Sequence, residues 1–172
     1  MNKPSRTQIN QLLAEVDIDT LSVDEQRKLL RDLEELDQLE AREAAATDFL
    51  SFVRFMWPEF IAGRHHRIMA DAFDRVLNGD LKRLIINMPP RHTKSEFASI
   101  HLPAYFIGRF PNRKIIEATH TVDLALDFGR KTKNLIQSVE FQQVFPGVGL
   151  AADSKASGKW ATNKRGEYFA VG

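Results

Sequence analysis

One stretch restricts the fold more than any other: Leu84-Ile85-Ile86-Asn87-Met88-Pro89-Pro90-Arg91-His92-Thr93-Lys94-Ser95-Glu96-Phe97-Ala98. Leu84-Ile85-Ile86 is a short apolar run with β-branched residues, the pattern of a buried parallel strand. Pro89 and Pro90 remove two donors and fix two φ angles, so neither strand nor helix continues through them. Lys94-Ser95 opens a run that reads as helix to about Ile107. Strand, tight loop, Lys-Ser and helix together are the layout of a phosphate-binding loop.

Backbone N–H groups at a helix start have no partner inside the helix, and with the helix dipole they favour an anion. A lysine closing the loop neutralises β- and γ-phosphate charge, and a hydroxyl after it binds magnesium. The usual pattern is G-x-x-x-x-G-K-[ST]. Here Met88 and Thr93 stand at the two glycine positions, and neither enters positive φ as cheaply as glycine. The plainer alternative is a strand-turn-helix with a capping serine. Two features favour phosphate: the well-formed preceding strand, and the concentration of Arg91, His92 and Lys94 in one turn.

The chain has 172 residues, enough for one domain with a real core. Hydrophobic residues at 43% and charged residues at 27% are the balance of a soluble globular protein. Cysteine is absent, which excludes a disulfide framework and a thiolate metal site and fits a reducing cytosol. No apolar run approaches a membrane span, and Met1-Asn2-Lys3-Pro4-Ser5 has no signal-peptide core. The net charge of +1 hides an asymmetry. Residues 1–48 carry 6 Lys/Arg against 12 Asp/Glu, and the remainder carries 18 against 11. The basic part could face a polyanion, or be a mildly basic domain joined to a solvated acidic helix.

In chain order, Pro4 to Ala14 reads as a short helix. Ser22-Val23-Asp24-Glu25 is a capping box that starts a helix to about Ala46, with Leu29, Leu33, Leu36 and Leu39 as a narrow apolar stripe. That stripe suits packing on the chain's own domain or, less simply, a partner helix. The aromatic run Phe49 to Trp57 reads as core, and Pro58 ends it. A helix from about His65 to Leu77 follows, with Ile68, Met69, Ala72, Phe73 and Val76 on its buried side, closed by the Asn78-Gly79-Asp80 turn. Adjacent His65 and His66 suggest a metal only weakly, because no third ligand stands at a sensible spacing. They also read as surface residues at a helix start. Pro103 should kink or end the helix after the loop.

Lys114 to Ala118 is a second short strand, so strand, helix and strand make a right-handed βαβ unit with a parallel sheet. Thr119-His120-Thr121 lies at that strand's carboxyl end, where α/β sheets bind ligands, and also reads as an N-cap. A helix runs from Asp123 to Val139, with Leu124, Phe128 and Ile136 inward and Arg130, Lys131 and Lys133 outward. Lys159 to Thr162 and Glu167 to Val171 form a hairpin about Asn163-Lys164-Arg165-Gly166.

Pro89-Pro90-Arg91-His92-Thr93-Lys94-Ser95-Glu96 resembles the deviant Walker A loop of phage terminase large subunits, the ATPases that package DNA into proheads. In that family a Pro-Pro-Arg-His-x-Lys-Ser form is common, with glycine before the lysine; Thr93 departs from it. The likeness extends through His65-His66-Arg67-Ile68, the segment Asn78 to Leu84, Phe128-Gly129-Arg130 and Val144-Phe145-Pro146, and covers roughly residues 49–172.

The resemblance implies an α/β fold: part of a P-loop NTPase of RecA/helicase-like type, a parallel sheet with flanking helices, preceded by an acidic helical segment. The expected domains are 1–48, acidic and helical, and 49–172, the N-terminal part of the ATPase. It implies ATP and Mg2+ as ligands. Lys94 would hold the β/γ-phosphates and Ser95 the magnesium. The loop Pro90, Arg91, His92 and Thr93 would wrap the phosphates, with Arg91 stabilising γ-phosphate charge. His65 and His66 would be candidates for the adenine base. Implied partners are double-stranded DNA, the small terminase subunit, the portal protein and further copies in a ring, with Arg130 a candidate to complete a neighbour's site. The implied location is the host cytoplasm, for a phage or prophage protein, with no membrane.

A phosphate-loop ATPase also needs an acidic residue on a later strand and a carboxylate that activates water. No four-residue apolar run followed by Asp-Asp or Asp-Glu occurs after Ser95. The expectation is therefore a chain truncated before the Walker B strand and lacking the nuclease domain, with ATP hydrolysis in the full-length protein and little in this chain alone. The competing readings are another DNA-dependent, helicase-like ATPase, or a truncated non-catalytic interaction module that binds a partner through residues 1–46.

Overall fold

The computed structural model describes residues 21–154 and 156–172; the expected helix Pro4 to Ala14 lies outside them. The chain divides into two units, one ending at Glu40 and the other Ala41–Gly172. In the first unit, the start of helix α1 (Val23–Thr47) shows the expected capping box. The Glu25 N–H donates to Ser22 Oγ at 3.4 Å, while Glu25 Oε2 accepts from the Ser22 N–H at 2.9 Å. The Ser22 hydroxyl also donates to Glu25 Oε2, at 2.6 Å, and with the Ser22 N–H it holds the Glu25 carboxyl below its ordinary pKa. Leu29, Leu33, Leu36 and Leu39 are half-buried along one face.

The second unit takes the last turn of α1, where Ala45 is fully buried. Then come α2 (Phe49–Met56), α3 (Arg64–Leu77), a π-turn (Glu96–His101) and α4 (Leu102–Arg109). After them follow β1 (Lys114–Ala118), α5 (Val122–Gln137), α6 (Val139–Val144), β2 (Lys159–Ala161) and β3 (Glu167–Val171). Short polar side chains start the helices as N-cap chemistry requires. Asp48 Oδ1 accepts from the Ser51 N–H at 2.7 Å, Thr121 Oγ1 from Leu124 at 3.4 Å, and Ser138 Oγ from Phe141 at 3.2 Å.

The sheet is mixed and three-stranded in the order β1-β3-β2. β1 runs parallel to β3, with Lys114 opposite Glu167 and Ala118 opposite Val171. β2 runs antiparallel to β3, with Trp160 opposite Tyr168 and their rings stacked at 4.6 Å. Thr162 pins the hairpin turn to the approach to β1: its hydroxyl donates to the Pro111 carbonyl at 2.5 Å and accepts from the Gly166 N–H at 2.8 Å. α5 packs on β3 so closely that a Cβ on Gly129 would come within 3.0 Å of the Tyr168 ring, and it would meet the Ser157 carbonyl oxygen in the loop before β2 at 2.4 Å. Helices and a small mixed sheet together are compatible with an α/β class.

Two sequence expectations fail here. Leu84-Ile85-Ile86 forms no strand; the segment joins no ladder, and Ile85 is 86% exposed. The residues line a cleft of about 250 Å³ against His65, Ile68, Met69 and Ala72 of α3. A strand exists only where a neighbour takes up its N–H and C=O groups, and among the described residues β1 pairs with β3 alone. The parallel pair is therefore β1 with β3, not Leu84–Ile86 with β1. Ile68, expected inside, is 61% exposed beside this cleft.

Pro103 does not end the helix, which runs on through Arg109; its effect falls on the turn before it. It has no N–H to give the Ser99 carbonyl four residues back. The turn before it widens to a π-helix, in which the Leu102 N–H reaches Phe97 O. The freed Ser99 carbonyl accepts from the fully buried Thr132 hydroxyl of α5 at 3.3 Å. The core is aromatic. Phe49 meets Phe73, Phe97 and Tyr105 edge-on at 5.2, 5.6 and 5.6 Å, and Phe52 meets Tyr105 at 5.1 Å.

Candidate functional site

The loop after Met88 turns through two left-handed residues, Arg91 at φ 64° and Thr93 at φ 57°. For a β-branched residue this is an outlier, and such strain costs about 1–3 kcal/mol. Thr93 holds, in this strained form, the conformation for which the common pattern uses glycine. Helical backbone begins at Lys94, and the Phe97 N–H bonds the Thr93 carbonyl at 3.0 Å. The N–H groups of Arg91, His92, Thr93, Lys94 and Ser95 meet no backbone carbonyl among the described residues. Consecutive free N–H groups in a turn of mixed handedness make an anion-binding concavity.

The side chains add charge without compensation. Arg91 and Ser95 are exposed and Lys94 is half-exposed. No carboxylate pairs with Arg91 or Lys94 among the described residues. His92 folds back, its Nδ1–H donating to the Pro90 carbonyl at 2.9 Å. His65 stands over the same turn, its ring 5.8 Å from that of His92.

His66 is the buried member, 6% exposed. It occupies N3 of α3, and its Nδ1 accepts from the N-cap Gly63 N–H at 2.9 Å. That is the reciprocal half of a capping box, with imidazole in place of the usual Glu or Gln. Its Nε2 lies 2.5 Å from Thr93 Oγ1. Both ring nitrogens of His66 are thus committed within the protein. The ring is walled by Phe60 at 4.7 Å and Phe97 at 5.0 Å. The structure therefore gathers His65, His66, His92 and Thr93 into one cluster and leaves Arg91, Lys94 and Ser95 on its open side. Sequence reasoning missed Gly63 and Phe60; the three-residue spacing from Gly63 to His66 was the available signal. Among the described residues no group of three or more His, Cys, Asp or Glu is placed to hold a metal ion, and no helix is long and apolar enough to cross a membrane.

Elsewhere, Thr121 acts as the N-cap of α5, and Thr119 Oγ1 donates to the Thr121 carbonyl at 2.7 Å. Arg130 and Lys131 both pair with Asp127 on their own helix, and exposed pairs of that kind add little stability. The sequence reading passed over Glu117. This carboxylate on β1 accepts from the Tyr168 hydroxyl at 2.6 Å and lines an 820 Å³ groove along the open edge of β1. Burial raises its pKa against that hydrogen bond.

Burial, then the charges of His65 and His92, lowers the pKa of His66. Burial also lowers that of His101, against its Nδ1–H bond to the Glu96 carbonyl. A histidine with a depressed folded pKa binds fewer protons folded than unfolded. Its stabilisation is fully present above the ordinary value of 6.5 and is lost as pH falls below it. Asp74 and Glu117, with raised pKa values, work in the opposite sense above their ordinary values of 3.8 and 4.5. The isolating variant is His101→Gln. Thermal melts at neutral pH and stepwise below 6.5 should show a smaller acid loss in this variant than in the wild type. Equal losses would mean that His101 is not held neutral.

In comparison with known proteins, the chain matches no protein family, no curated protein and no solved structure.

Proposed function

We propose that the loop from Pro90 to Ser95 binds the phosphates of a nucleoside triphosphate, and that the chain is the ATP-binding part of a phosphate-loop motor ATPase of the terminase large-subunit type. The observation that carries the phosphate reading is the row of free N–H groups from Arg91 to Ser95, turned by two positive φ angles at the head of a helix. Lys94 and Arg91, with no carboxylate partner among the described residues, supply the countercharge. Ser95, exposed at the first helical turn, suits a hydroxyl ligand for Mg2+. Bound magnesium would neutralise charge between the β- and γ-phosphates. The packaging role and double-stranded DNA as track rest on the loop's resemblance in sequence, as does the P-loop NTPase fold.

His65 is the base-contact candidate that keeps a free approach: it is half-exposed, whereas the His66 nitrogens are already bonded to Gly63 and Thr93. Calorimetry of the folded chain with a non-hydrolysable Mg–ATP analogue and with inorganic tripolyphosphate separates the two parts. Both should bind, and the analogue more tightly if the base is held. Absence of binding by either ligand at millimolar concentration would overturn the phosphate reading.

A further inference from the structure

The left-handed backbone of Thr93 needs something to hold it, and three hydrogen bonds in series converge there. The Gly63 N–H donates to His66 Nδ1 at 2.9 Å. A nitrogen that accepts carries no proton, so the neutral ring keeps its proton on Nε2. Nε2–H therefore donates to Thr93 Oγ1 at 2.5 Å. The Thr93 hydroxyl spends its own proton on the His92 carbonyl at 2.7 Å. Each donor finds one acceptor, and the directions agree in only this arrangement. Phe60 and Phe97 wall the ring, so it cannot swing away without opening the aromatic core.

We propose that His66 is a positioning residue of the loop: by tying Thr93 Oγ1 to the start of α3, it holds a threonine in the conformation glycine would adopt by lacking a Cβ. The consequence for ligand binding rests on the phosphate-loop reading, whereas the consequence for backbone geometry does not. The Thr93 conformation matters because it aims the N–H groups on either side of it. Without the His66 hydrogen bond, the residue should relax toward right-handed φ and the concavity should close.

The test is a double-mutant cycle on the full chain, read by calorimetry with inorganic tripolyphosphate. His66→Phe keeps an aromatic ring in the slot and removes both nitrogens. It should weaken binding about tenfold, the equivalent of about 1.4 kcal/mol. In a Thr93→Gly background, where no tether is needed, the same substitution should change binding by less than about threefold. Thr93→Val breaks the tether from the other side and should match His66→Phe. Equal losses from His66→Phe in both backgrounds, or wild-type binding by Thr93→Val, would overturn the proposal. Ligand-free NMR provides the separate arm. The wild type should show the Nε2–H tautomer of His66 and a positive φ at residue 93, and His66→Phe should lose that φ. A retained positive φ sinks the positioning role even where tripolyphosphate binds. A wild type that shows the φ but binds no tripolyphosphate sinks the phosphate reading alone.

Discussion

Lys94→Ala is expected to remove measurable binding of a Mg–ATP analogue while leaving the fold intact. Lys94 is half-exposed and has no ion-pair partner among the described residues, so its loss strands no buried carboxylate. In the proposed complex, however, it is the cation at the helix start that closes the loop. Truncating one partner of a desolvated charge pair costs about 2–5 kcal/mol, which is roughly 30- to several-thousandfold in Kd. Arg91→Ala should cost less, because its exposed side chain remains screened by solvent. The measurement is calorimetric affinity alongside a thermal melt. Unchanged affinity in Lys94→Ala would refute the assignment of this lysine, and a collapsed melt would show that it has a structural role.

Phe49→Ala is expected to be the most damaging single core change. Phe49 is fully buried and touches Phe73 of α3, Phe97 of the π-turn and Tyr105 of α4 edge-on. Removing such a ring costs about 3–5 kcal/mol through lost transfer and the cavity left behind. Domains of this size have only about 5–15 kcal/mol to lose. The effect should also reach the loop, because Phe97 packs on Phe49 on one side and on the His66 ring on the other. Urea unfolding gives the first number, and His66 ring signals in NMR give the second. A loss below about 1 kcal/mol would mean that the aromatic cluster repacks without a cavity.

Much of the local structure follows from sequence because its causes lie within a few residues. The capping box at Ser22–Glu25, the widened turn before Pro103, the turn at Asn163–Gly166 and the register of its two strands all depend on neighbours along the chain. The aromatic run from Phe49 to Trp57 is core for an equally simple reason: nine residues of such composition have no other way to leave water. The loop's charge was also legible, since Arg91, His92 and Lys94 can be read from the row of letters.

What tertiary structure decided is where partners lie at long range. Leu84-Ile85-Ile86 has the composition of a buried strand, but composition fixes a wish for burial and not a ladder partner, and the segment lies outside the sheet. The strand pairing of β1 with β3 spans half a hundred residues and has no local signature. The same holds at the candidate site. The sequence shows a threonine where glycine is usual and two histidines at a helix start. Only the fold brings His66 to within a hydrogen bond of Thr93, with the His66 ring packed on Phe60 and Phe97. A strained backbone is read from its dihedral angle, and the tether that holds it is read from a distance between residues far apart in the chain.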